Sequence, residues 1–184
     1  MEGEGQRSLS IPNLITLMRI LLVPVVVWAI ASDEPLLAFW LFLLAGISDA
    51  VDGFLAKQFN MQTELGAYLD PLADKALLIS IYVTLGIVGD IPRWAAIAVV
   101  ARDVMIIGAV VLSVAMARPV HIRPLVVSKV NTMVQIAFAA MVLAATGFGI
   151  ALGPAFDLGL VAVGLLTALS AAAYLASWMR HMAS

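Results

Sequence analysis

The sequence predicts an all-α integral membrane protein of six transmembrane helices, with both termini on the cytoplasmic side. Three observations lead there. Hydrophobic residues make up 63% and charged residues 12% of the 184-residue chain, and the mean hydropathy is +1.06, far above ordinary soluble usage. The apolar residues fall in runs of span length divided by short polar or Pro/Gly punctuation. Basic residues alternate from one connection to the next, the pattern that membrane topology imposes on short loops.

A helix needs about 20 mostly apolar residues to cross the hydrocarbon layer. Six segments qualify: residues 13–31, 35–58, 66–88, 92–116, 124–146 and 154–179. Residues 1–10 read as a cytoplasmic tail and residues 11–184 as one membrane domain. Glu2, Glu4 and Arg7 do not make the positive start of a cleaved signal, so the first segment is expected to stay as a span, although Ala29 to Ala31 imitates a small-residue cleavage site. The breaks that follow are Ser32-Asp33-Glu34-Pro35, the polar stretch Gln58 to Thr63, Gly89-Asp90-Ile91-Pro92, Arg118 to Pro124, and Gly147 to Pro154. Lys57, then Arg118 and Arg123, mark one side together with Arg7 and Arg180. The opposite connections carry Asp33 and Glu34, then Asp90 with Arg93, then no basic residue through Asp157. Both ends are therefore expected in the cytoplasm, with the chain in a bacterial inner membrane or the equivalent organellar one.

Composition also excludes. Without cysteine there is no disulfide, thiolate metal site or Cys nucleophile. A net charge of −2 gives no electrostatic case for a nucleic-acid partner.

Charges inside spans are costly unless paired, hydrated or coordinated, so they mark function. Arg19 lies in the first segment, Asp49 and Asp52 near the end of the second, Asp70, Asp74 and Lys75 early in the third, Arg102 and Asp103 in the fourth and Lys129 in the fifth. Asp49, Asp52 and Ala56 are spaced i, i+3, i+7, and Gly66, Asp70 and Asp74 are spaced i, i+4, i+8, so each set lies along one helical face. The two helices are antiparallel neighbours joined at the cytoplasmic side, which brings the acidic faces together. Clustered carboxylates repel one another and take up protons unless a cation relieves them. An oxygen-only donor set favours Mg²⁺ or Mn²⁺, with Ca²⁺ open and Zn²⁺ disfavoured. Magnesium commonly binds substrate phosphates as well as carboxylates, so a diphosphate ligand follows. Gly53 and Gly66 would let a ligand approach closely, or would serve helix packing alone.

Taken together, Asp49-x2-Asp52-Gly53-x2-Ala56-Lys57-x8-Gly66-x3-Asp70-x3-Asp74 resembles the signature of the CDP-alcohol phosphotransferases, membrane enzymes of phospholipid synthesis. The departure is Lys57, where the family usually has Arg; the charge is kept and bidentate phosphate contact is lost. The likeness extends from Ile11-Pro12-Asn13-Leu14-Ile15-Thr16 with Arg19, through Leu69 to Lys75, to Ala101-Arg102-Asp103 and Ser128-Lys129-Val130-Asn131. These segments look like the branch that uses CDP-diacylglycerol, which includes phosphatidylglycerophosphate synthases and eukaryotic-type cardiolipin synthases. Arg102-Asp103-Val104-Met105 and Ser128 to Thr132 are more similar to the latter.

The resemblance implies a six-helix fold with a polar cavity open to the cytoplasm, a homodimer, and two divalent cations held by Asp49, Asp52, Asp70 and Asp74, the first three also holding the CDP diphosphate and Asp74 also the general base. It implies Gly53, Ala56 and Gly66 beside the cytidine and Lys57 near the diphosphate. Asn13, Thr16 and Arg19 form a polar stripe suited to headgroup or diphosphate contact, or Asn13 simply caps its helix. Arg102 and Lys129 are candidates for an acceptor phosphate, that of phosphatidylglycerol or glycerol 3-phosphate; the alternative is ion pairing with Asp103 or another aspartate. Arg118, His121 and Arg123 could meet anionic headgroups or serve only as orientation signals. Outside this family, the rival is an ion or metabolite transporter, weakened because the aspartates gather toward one side with no acidic ladder across the other half. The Trp and Tyr residues fall near segment ends, and Gly147, Gly149, Gly153, Gly159 and Gly164 are expected to pack helices or line turns.

Overall fold

The structure is a computed structural model that describes the backbone of residues 11–58, 64–115 and 126–183, with side chains over 15–51, 72–109, 112–113 and 126–180. Among the described residues there are six helices and no strand: α1 (Ile11–Ala31), α2 (Pro35–Gln58), α3 (Glu64–Val88), α4 (Arg93–Ala115), α5 (Val126–Phe148) and α6 (Pro154–Ala183). Each corresponds to one apolar run of the sequence, with ends displaced by a few residues. Val126–Phe148 and Pro154–Arg180 are long and apolar enough to cross a membrane, and Ile15–Ala31 and Pro35–Val51 are shorter apolar stretches.

The helix ends follow from local chemistry. α1 stops where Asp33 takes a left-handed φ of 60° and the Glu34 N–H reaches back to the Ala29 carbonyl at 2.9 Å; Pro35 then opens α2, where no N–H is needed. At the end of α3, Gly89 turns with φ 97° and the Asp90 N–H donates to the Leu85 carbonyl at 3.0 Å. α5 runs through Gly147, a break in the sequence reading, and stops only at Gly149. There φ is 66° and the Ile150 N–H closes on the Ala145 carbonyl at 2.8 Å, so orphan carbonyls of the last turn are satisfied.

The chain forms two compact units. The first takes the described residues up to Thr84 together with Leu143–Ile150. In it α1 packs along α2, with Val26, Ala29, Ile30, Ala38, Phe42 and Ala45 buried. The last turn of α5 presses on the first turn of α2: a Cβ on Gly147 would lie 2.8 Å from the Leu36 Cα, and the Phe39 and Phe148 rings meet edge-on at 6.1 Å. The second unit takes Leu85–Val142 and the residues from Ala151 onward. Here α4 packs on α6, and Gly164 lets the Trp94 ring approach to 3.2 Å of where a Cβ would stand. A Cβ on Gly159 would fall 2.5 Å from the Phe138 ring, so α5 and α6 also meet through a missing side chain.

The exterior is rich in large apolar side chains, and polar and charged groups sit among the apolar residues of the core. Large apolar side chains such as Leu21, Trp28, Trp40, Ile87, Ile97, Met133, Leu158 and Leu165 are exposed, while Thr16, Arg19, Arg102, Asp103, Asn131, Gln135, Thr167 and Ser170 are buried.

Gly147→Ala should lower stability by about 1–3 kcal/mol, because the added methyl meets backbone that cannot swing away. Gly46→Ala, on α2 with nothing within 4 Å of its Cβ position, should be neutral or raise stability by about 0.5–1 kcal/mol. Thermal unfolding of the two variants side by side checks the contrast.

Candidate functional site

In the first unit the polar residues of α1 face inward. Thr16 and Arg19 are one turn apart and both are buried; Arg19 is the largest fully buried side chain of the described residues. An ionised guanidinium in such a place needs anions at hydrogen-bond distance. Two are supplied by different helices. Arg19 Nη1 lies 2.8 Å from Asp49 Oδ1 on α2 and donates to Asp74 Oδ1 on α3 at 2.6 Å. The Arg19 side chain is 2% exposed, against 43% for Asp49 and 46% for Asp74. The carboxylates are thus closed by the arginine from the buried side and remain open on the other.

This bridge realises the expected meeting of two acidic faces for the members whose side chains are described. Asp52 stands three residues after Asp49 on α2, and Asp70 four residues before Asp74 on α3, so both belong to the same helical faces. Their side chains, with those of Asn13, Ala56 and Lys57, lie outside the described residues, as do Arg118, His121 and Arg123 entirely; Gly53 and Gly66 are placed only as helical backbone. Among the described residues no group of three or more His, Cys, Asp or Glu gathers as a metal site. The donor set nonetheless fits a hard cation: carboxylate oxygens from two helices already converge on one positive nitrogen, and one positive charge against two negative leaves the cluster acidic.

Arg19 is the residue that the sequence reading undervalued. Its signal was available, since it is the sole ionisable side chain in the 21 residues of α1. The structure brings it against Asp49 and Asp74.

The second unit holds a separate polar seam. Arg102 on α4 donates from Nη1 to Asp103 Oδ1 at 2.5 Å, from Nε and Nη2 to Ser170 Oγ on α6 at 3.1 and 2.8 Å, and from Nη2 to Ser128 Oγ on α5. Its guanidinium carbon lies 5.8 Å from the Tyr174 ring centre. Of the two roles open to Arg102, pairing with Asp103 is therefore present. Next along α5 and α6, Gln135 Nε2 donates to Thr167 Oγ1 at 3.1 Å, which donates on to Asn131 Oδ1 at 3.1 Å. Asn131 Nδ2 is buried without a hydrogen-bond partner. Lys129, between Ser128 and Asn131 in sequence, is exposed on the first turns of α5. The seam joins α4, α5 and α6 by hydrogen bonds between buried side chains.

Comparison with known proteins identifies a family. A family profile described as CDP-alcohol phosphatidyltransferase matches residues 9–179. The human protein named cardiolipin synthase (CMP-forming) is 36% identical over 158 residues, covering 77% of this chain and 52% of its own length. The probable phosphatidylglycerophosphate synthase of Mycobacterium tuberculosis (strain ATCC 25618 / H37Rv) is 33% identical over 183 residues, covering 96% of this chain and 85% of its own. A rice protein, CDP-diacylglycerol--glycerol-3-phosphate 3-phosphatidyltransferase 1, chloroplastic, is 33% identical over 172 residues, covering 80% and 50%. The chain spans about half the length of the rat and human relatives, 52% in each case.

Arg102→Leu removes the guanidinium from a buried carboxylate and should destabilise by about 3–5 kcal/mol. Arg102→Leu with Asp103→Leu should regain most of that loss, because the uncompensated charge goes too. Thermal unfolding reads both; a double variant no better than the single one would refute the pair as the source of the loss.

Proposed function

The chain belongs to the CDP-alcohol phosphatidyltransferase family, and from that premise we propose that it transfers a phosphatidyl group from CDP-diacylglycerol to an alcohol acceptor and releases CMP. The acceptor in this proposal is phosphatidylglycerol and the product cardiolipin. The observation that carries it is the convergence of Asp49 and Asp74, from two helices, at positions of the signature. The rat and human relatives, both named cardiolipin synthase (CMP-forming), support the product.

In this reading all six helices span a membrane, with both termini and the aspartates on the cytoplasmic side, in a bacterial inner membrane or its organellar counterpart, and the protein works as a homodimer. The apolar exterior and the polar and charged groups buried within the core support the span assignment. Exposed Trp28, Trp40 and Trp94 lie near helix ends, as interfacial aromatic belts do.

Asp49, Asp52, Asp70 and Asp74 would hold two Mg²⁺ or Mn²⁺ ions. When bound, these supply charge compensation to the phosphoryl and leaving-group oxygens. The acceptor hydroxyl oxygen forms a bond to the β-phosphorus of the donor, the lipid-bearing one. The bond from that phosphorus to the bridging oxygen breaks, and CMP departs with the oxygen. Asp74 takes the hydroxyl proton late in the attack. Asn13, Thr16, Gly53, Ala56, Lys57 and Gly66 line the donor. Lys129, Arg118 and Arg123 take the acceptor phosphate together with Arg102, which would first have to share its charge with Asp103. Exposed Lys129 is the readier of the two cations on described helices.

One observation favours a second reading, phosphatidylglycerophosphate synthesis from glycerol 3-phosphate. The mycobacterial relative so named matches over 96% of this chain, a greater share than the 77% of the human cardiolipin synthase.

Purified protein should release CMP from CDP-diacylglycerol only with Mg²⁺ or Mn²⁺ and an acceptor. CMP release that persists in chelator would sink the metal assignment. Asp74→Asn should lower kcat by about 10²- to 10⁴-fold; full retained rate would remove the base. Glycerol 3-phosphate, phosphatidylglycerol and inositol phosphate offered separately with the same donor should give cardiolipin from phosphatidylglycerol alone, identified by the lipid product. Phosphatidylglycerophosphate instead would establish the second reading.

A further inference from the structure

The position of Arg19 has a consequence for the aspartate cluster that goes beyond the transfer reaction. A metal site built from carboxylates is unstable before its metal arrives, since like charges in a poorly hydrated place repel. Here a side chain of the protein already offsets that repulsion. One nitrogen, Nη1, reaches carboxylates on two helices at 2.8 and 2.6 Å. The arginine is almost wholly buried, whereas both carboxylates stay nearly half exposed on the side away from it.

We propose that Arg19 is a resident cation that stands in for the metal: it holds α1, α2 and α3 together in metal-free protein and weakens metal binding by lowering the net negative charge of the cluster. The proposal rests on the reading that Asp49 and Asp74 are metal ligands. Its functional content is a site that stays folded when empty and grips its ions loosely, so that the diphosphate of an incoming donor adds the anionic ligands that complete binding. A plain structural salt bridge would hold the helices equally well, yet removal of such a bridge would not be repaired by a divalent ion. That difference is measurable without turnover.

The experiment uses full-length protein in detergent: wild type, Arg19→Gln, Arg19→Lys and the double variant Arg19→Gln with Asp49→Asn. Thermal unfolding is followed in EDTA and in Mn²⁺, and Mn²⁺ binding is titrated by the EPR signal of the free ion. Arg19→Gln should lose on the order of 10 °C in EDTA, and Mn²⁺ should restore most of it, a larger metal-induced rise than wild type shows. Its Mn²⁺ affinity should rise about tenfold, since a positive charge has left the contact shell of the site. Arg19→Lys should behave as wild type, and Asp49→Asn should raise the EDTA midpoint of Arg19→Gln by relieving the repulsion.

A loss in Arg19→Gln that Mn²⁺ does not repair, or Mn²⁺ binding that is unchanged or weaker, overturns the proposal. If Arg19→Gln does not yield folded protein, a double variant that folds supports it and one that fails equally overturns it. Wild-type protein that binds no Mn²⁺ overturns the metal-site reading itself, a result separable from normal wild-type binding with an indifferent Arg19.

Discussion

A guanidinium sealed inside an apolar helix and carboxylates crowded at a helix pair are each costly alone. In this protein one contact relieves both. Arg19 joins Asp49 and Asp74 across three helices, and the site depends on it because one buried cation ties α1, α2 and α3 together through charge. Carboxylates held by a buried arginine keep nearly half of their side-chain surface exposed. The metal-binding and proton-accepting work proposed for them needs that exposure.

The second unit treats charge differently. Arg102 and Asp103 are sequence neighbours, and adjacent positions on a helix do not face each other. The long arginine side chain nevertheless curls to reach the carboxylate, while Ser128 and Ser170 accept from its Nε and Nη2. The result is a neutral, paired knot rather than an acidic opening. It orders the helices that carry Lys129 and Asn131 and leaves Lys129 exposed.

Glycine positions show how packing chose among equivalent residues. Gly147 and Gly149 both read as punctuation, yet α5 passes through the first and turns at the second. Gly147 is needed where Leu36 backbone comes within 2.8 Å of its missing Cβ; Gly149 has open space and a φ of 66°. Gly159 and Gly164 likewise admit aromatic rings from α5 and α4.

What the sequence determined by itself was the local part. Six helices follow from apolar runs bounded by Pro and Gly, because span length and helix termination are properties of contiguous residues. The registers of Asp49 with Asp52 and of Asp70 with Asp74 follow from 3.6 residues per turn, and the fixed spacing of the signature carried the family. Tertiary structure alone decided partnership. Arg19 had several aspartates within possible reach. Helical periodicity states which residues share a face but not which faces oppose. Close approach of α1, α2 and α3 made the choice, bringing Asp49 and Asp74 within 3 Å of the buried guanidinium.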